Sequence, residues 1–132
     1  MRRQQLIDLV KQDWSSQPKI AQACENVIKN ISNKNAEVFR HLTFLSIQKL
    51  TNLDLTSEDI VKLTQYLSGE RVGLFTAGFE YIDSHDQFIL DADNSYYAYF
   101  ENKIAHPITG HVIENVKSNV FMFFTLNDGA LK

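Results

Sequence analysis

The sequence predicts an α+β fold in which about four N-terminal helices pack on one face of a C-terminal, curved, antiparallel sheet of about four to five strands. Three observations predict it. Apolar residues recur at helical spacing through the first half. From Arg71 to Leu126 they alternate with polar residues in period two. Short clusters of Asp, Ser, Asn, Pro and Gly cut that second half into strand-length pieces. The 132 residues are expected to form a single domain, with a helical layer over 3–68, a sheet over 71–126 and a fraying tail over 127–132.

Leu6, Ile7, Val10 and Trp14 form an apolar stripe between Arg3 and Trp14, and Ser15 and Ser16 end it. Pro18 suits the first turn of a second helix, because its missing N–H would be unpaired there in any case. Ile20, Cys24, Val27, Ile28 and Ile31 then share one face. Asn30 to Asn35 reads as a connection. A third helix is expected from Ala36 to about Leu50, where Val38, Phe39, Leu42, Phe44 and Leu45 spread widely enough for burial on more than one side. The fourth helix has the clearest start: Thr56 at the N-cap, Asp59 where a capping box has its acid, and Leu55 and Ile60 at staple positions. It should run from about Ser57 to Ser68 and close on a left-handed Gly69.

In the first strand Phe75, Ala77, Phe79 and Tyr81 fall on one face, and Thr76, Gly78 and Glu80 on the other. Asp83, Ser84, His85 and Asp86 make a polar turn, and Phe88 and Leu90 resume the apolar face. This is a hairpin. After the polar cluster Asp91 to Ser95, the run Tyr96 to Phe100 is expected to be a strand, since its aromatic density suits a pleated surface packed on both sides. His106, Pro107 and Gly110 mark a loop. His111 to Val116 should face Val120 to Leu126 across Lys117, Ser118 and Asn119. The consecutive Val120, Phe121, Met122, Phe123 and Phe124 call for a central or fully covered strand, because an exposed one would invite aggregation.

Composition narrows the function. Cys24 is the single cysteine, so neither an intrachain disulfide nor a cysteine zinc cage can form, and its place on an apolar stripe makes it a core residue. No apolar run approaches the ~20 residues of a membrane span, and no apolar signal core follows Arg2 and Arg3. A cytoplasmic protein with no membrane association is expected. The charge is uneven: ten basic against eight acidic residues up to Arg71, then three against eight, a balance of −5. An acidic sheet repels phosphate backbones and suits a basic protein surface or a cationic ligand.

Several chemical constellations fail on inspection. Asp83, Ser84, His85 and Asp86 have the residue types of a hydrolase triad but are neighbours in one turn, and triads assemble from separate elements. Asp91, Asp93 and Ser95 imitate a calcium loop, yet Tyr96 stands where the glycine belongs and Asn102 where the bidentate Glu belongs. His106 and His111 flank a loop rather than the i, i+4 positions of a helical metal pair. The helices of 36–68 and the following hairpin resemble a winged helix in outline only, since the would-be recognition helix sets Glu58 and Asp59 beside Lys62, and the wing is acidic.

The aromatic set carries the expected function. If Tyr96 to Phe100 is a strand, either Tyr96 with Phe100 or Tyr97 with Tyr99 lies on the sheet face that the helices leave uncovered. That face then encloses a pocket or meets a second subunit. The expectation is a non-catalytic interaction protein, homodimeric through its aromatic sheet, that engages a basic protein surface or a small cationic or apolar ligand. Its binding residues would be Tyr81, Tyr97, Tyr99, Glu101, His106, His111 and Phe123. No catalytic residue, metal or cofactor is assigned. The alternative is a small enzyme or ligand-binding protein with a pocket between helices and sheet, using Glu80 or Glu101 beside His106 or His111 for proton transfer. Winged-helix DNA binding stands third.

Overall fold

The computed structural model describes residues 3–32, 36–127 and 129–130. Its α-helices are α1 (Arg3–Asp13), α2 (Pro18–Ser32), α3 (Phe44–Thr51), α4 (Ser57–Ser68) and α5 (Ala92–Glu101). Its strands are β1 (Phe75–Ile82), β2 (Gln87–Ile89), β3 (Lys103–Ala105), β4 (Val112–Glu114) and β5 (Val120–Leu126). The class is α+β, with four helices ahead of the first strand. The strands divide into one sheet ordered β2-β1-β5 and a second formed by the antiparallel pair β3-β4. No helix among the described residues is long and apolar enough to cross a membrane. The described residues fall into two compact units, one drawn from Met1–Ala77 with Phe124–Lys132 and the other from Gly78–Phe123.

In the first unit the predicted stripes of α1 and α2 are the buried residues Leu6, Ile7 and Val10, and Ile20, Cys24, Val27, Ile28 and Ile31. Burial pushes the Cys24 thiol pKa up to about 12, so it stays a neutral core group. Two side chains of α2 satisfy carbonyls at the end of α3: Asn26 donates to Thr51 O at 2.7 Å and Asn30 to Leu50 O at 2.6 Å. The single third helix expected over 36–50 is instead a 3-10 turn at Ala36–Phe39 followed by α3. Leu42 between them exchanges backbone hydrogen bonds with Phe124, and Thr43 is extended, its hydroxyl accepting the Ser46 N–H at 3.2 Å. A residue committed to a strand bridge cannot continue a helix, so a new one starts at the cap.

Helix α4 has the expected bounds, and Thr56 caps it by accepting the Asp59 N–H at 3.1 Å. Gly69 is extended, not left-handed; the left-handed glycine comes later, at Gly73 with φ 61°. Gly69 still has a steric reason, since a Cβ there would lie 3.2 Å from the Gln65 carbonyl oxygen. At the end of the first helix, Asp13 receives Arg71 Nε at 2.7 Å, Arg71 Nη2 at 2.8 Å and the Tyr66 hydroxyl at 2.6 Å. Those bonds, that from Arg71 first, hold the Asp13 carboxyl below the usual carboxylate range. Asn127, placed in the fraying tail by the sequence, is ordered: its N–H donates to Leu74 O at 2.9 Å and its Nδ2 to Gly73 O at 2.8 Å. The rest of the expected tail lies largely outside the described residues.

The hairpin β1–β2 forms in the expected place, with Tyr81 opposite Phe88. The strict alternation of β1 does not hold, because Phe75 and Tyr81 are buried while Ala77 and Phe79 are exposed and Glu80 is buried. The strand leaves one compact unit and enters the other between Ala77 and Gly78, and beyond that point both of its sides carry a buried residue, Glu80 on one and Tyr81 on the other. The segment His111 to Val116 pairs through β4 with β3, not with β5. Nor is β5 the central strand: that place belongs to β1. The outer side of β5 meets only Leu42, at Phe124, among the described bridges.

Candidate functional site

The site is built on a correction. Tyr96 to Phe100, expected as a strand, belongs to helix α5. Asp91 starts the helix by accepting the Asn94 N–H at 2.8 Å, and Asp93 places a negative charge in the first turn, where the helix dipole favours it. Asn102 ends it in the left-handed conformation, φ 55°, with its N–H donating to Tyr97 O. One helical residue, Ala98, turns into a core made with Tyr81, Leu90, Ile104 and Val116. Helical spacing regroups the aromatics. Tyr96, Tyr99 and Phe100 now share a face, and Tyr97 stands with Glu101 on the next.

The first face forms one wall of an open groove of about 590 Å³. Phe79 comes from β1, Val120 and Met122 from β5, and Ser95, Tyr96, Tyr99 and Phe100 from α5. Tyr99 and Phe100 are 72% and 65% exposed, although their rings pack edge to face at 4.8 Å. Phe100 also lies 4.6 Å from Tyr96. Lys117 is the one charged residue of the lining. Its ammonium stands 6.0 Å from the Tyr99 ring centroid and makes no ion pair among the described residues. The Lys117 backbone is fixed to the end of α5, because its N–H donates to Asn102 Oδ1 at 3.0 Å.

Of the residues predicted to bind, only Tyr99 lies in this groove. Tyr97 and Glu101 line a neighbouring hollow of about 360 Å³ with Lys103 and Val112, and Glu101 pairs with Lys103 at 3.4 Å. Tyr81 is a core residue whose hydroxyl donates to Asp83. That bond, aided by burial, pushes its pKa up to about 12. Asp83 is held below the usual carboxylate range by the same bond and by the N–H groups of His85 and Asp86. Phe123 is buried, with its ring over Gly78, where a Cβ would come within 2.9 Å of it.

The proton-transfer pairing of Glu80 or Glu101 with an imidazole is not what forms around His106. Asp86 takes that place, its Oδ1 lying 3.3 Å from His106 Nε2. His106 Nδ1 accepts the N–H groups of Ile108 at 3.2 Å and Thr109 at 3.3 Å, which puts the ring hydrogen on Nε2 facing Asp86. Both ring nitrogens are therefore occupied, Nδ1 in holding the β3–β4 turn and Nε2 in facing Asp86 of the β1–β2 turn. His111 is exposed at the same turn, its carbonyl accepting the His106 N–H at 2.8 Å. Among the described residues, no three His, Cys, Asp or Glu side chains gather as metal ligands.

Phe79, Tyr96, Phe100, Met122 and Lys117 are among the groove residues that sequence reasoning did not name as binding residues. The available signal was Asp91, an N-cap residue three before Asn94 and eleven before the left-handed Asn102. No protein-family model matches the chain, and neither a curated protein nor a solved structure matches it.

Proposed function

We propose that this chain is a non-catalytic binding protein whose contact surface is the aromatic groove of the 78–123 unit. The observation that carries this reading is the exposure of three neighbouring aromatics on one helix face, Tyr96, Tyr99 and Phe100, beside Phe79 and Met122. Contiguous exposed apolar surface marks an interaction site, and Tyr, Phe and Met are the residues that interfaces favour. Polar residues that could do chemistry are absent from the lining apart from Lys117, Ser95 and the tyrosine hydroxyls.

The groove accepts an apolar group from a protein or a small ligand. A homodimer that stacks two α5 faces is the form available without another partner. It would bring together two units that each carry seven acidic against two basic residues, so its formation should strengthen with salt. A cytoplasmic location belongs to the same reading. Binding of a hydrophobic fluorescent dye, together with sedimentation velocity across protein and salt concentration, tests it. The wild type should bind the dye and associate at high salt, and Phe100→Asp should lose both. A wild type that does neither, and that Phe100→Asp leaves unchanged, removes the groove as a contact surface.

A further inference from the structure

Resting on the groove as a contact surface, we propose that its occupant is a small amphipathic carboxylate, with an apolar body along Phe79, Phe100 and Met122 and its anionic group at Lys117. Two features lead to this class. The volume, about 590 Å³, falls in the small-molecule range of roughly 300–1,000 Å³. The single charge of the lining is a cation, although the unit around it is acidic by seven residues to two.

Four of the seven acids of the unit have partners of their own. Glu101 pairs with Lys103, Asp86 faces His106, Asp83 takes the Tyr81 hydroxyl, and Asp91 caps α5. Lys117 is left with a tyrosine face at 6.0 Å and no carboxylate among the described residues. Its backbone is held by Asn102, so the ammonium starts from a fixed point beside the aromatic wall. An anion at that position gains an ion pair at the edge of an apolar cleft, where water competes less than at an open surface. A cationic amphiphile gains the same apolar contact but meets like charge. The acidic surroundings weaken approach of an anion from a distance; beyond about 8 Å at physiological salt that field is screened, and the contact charge decides.

Isothermal titration of the full chain with decanoate, decyltrimethylammonium and a neutral decyl glycoside, each below its micelle concentration, tests the inference. Decanoate should bind the wild type about tenfold more tightly than the cation, the factor that one modest ionic contact supplies. Lys117→Met should abolish that preference while leaving the neutral probe unchanged, and Lys117→Arg should keep it. Equal binding of all three probes, all lost in Phe100→Asp, would overturn the anion preference and leave the groove standing. Binding of none of the probes would overturn the small-amphiphile occupant; the dye and sedimentation experiment then judges the groove separately.

Discussion

The Asn94 carboxamide pairs with the backbone of Ala105 as a neighbouring strand would: Oδ1 accepts the Ala105 N–H and Nδ2 donates to the Ala105 carbonyl, both at 3.0 Å. A side chain on the first turn of α5 thus occupies an open backbone position of β3, whose other side pairs with Val112 of β4. Helix and small sheet are joined by polar contacts as well as by Ala98 and Ile104. Asn94→Ala should lower stability by about 1–2 kcal/mol, the net worth of two ordinary hydrogen bonds. Asn94→Asp should be at least as damaging, because it sets a carboxylate oxygen against the Ala105 carbonyl. Denaturant unfolding measures both, and faster amide exchange at Ala105 locates the effect.

Gly78 is set by Phe123. A Cβ at Gly78 would lie 2.9 Å from the tip of the Phe123 ring, and that ring is buried. Gly78→Ala should therefore destabilise by about 1–3 kcal/mol, the usual range for overpacking. In the Phe123→Leu background the same substitution should cost less, since the shorter side chain leaves room. A double-mutant cycle that finds the two changes additive would disprove the contact.

The bond from Tyr81 to Asp83 sets a pH window. Asp83 ionises below its ordinary value of 3.8, so its share of the stability is present above that value and is lost as pH falls through the lowered one. Tyr81 has its pKa raised from 10.0 to about 12, so its share is present below pH 10 and lost as pH rises through the raised value. Denaturation midpoints should be highest between these limits. Tyr81→Phe should flatten the alkaline limb and part of the acid limb, the remainder belonging to the N–H groups of His85 and Asp86 that Asp83 also accepts.

Asn102 performs two tasks that substitution can separate. It holds φ at 55°, and it accepts the Lys117 N–H while its carbonyl accepts Asn115 N–H at 2.9 Å. Asn102→Gly keeps the left-handed backbone and loses the side-chain bond to Lys117 together with the long one from Nδ2 to Asn115 Oδ1 at 3.5 Å. Asn102→Ala loses the same two side-chain bonds and adds left-handed strain. The alanine variant should be less stable than the glycine variant by about 1 kcal/mol in denaturant unfolding. Both should loosen Lys117, read as faster amide exchange at that residue.

The parts of this chain written in local residue order were legible from it. The α1, α2 and α4 stripes repeat with the helical period, Thr56 is a cap by its own chemistry, and the Asp83 turn closes between two short apolar runs. Each of these rests on contacts within a few residues. Where partners came from far along the chain, local pattern misled. Leu42 had to meet Phe124 before the third helix could split, and Asn127 had to meet Gly73 and Leu74 before the end of β5 was pinned. The aromatic run 96–100 satisfies either period, because its side chains are large and apolar in both. Caps at Asp91 and Asn102, the Asn94 pairing with Ala105 and the burial of Ala98 decided for the helix. The sequence therefore determines an α+β chain with an aromatic, acidic second half. The caps at Asp91 and Asn102 bound the helix that turns Tyr96, Tyr99 and Phe100, three and four apart, to one side; tertiary packing alone determines that this face meets Phe79, Met122 and Lys117, which come from other parts of the chain.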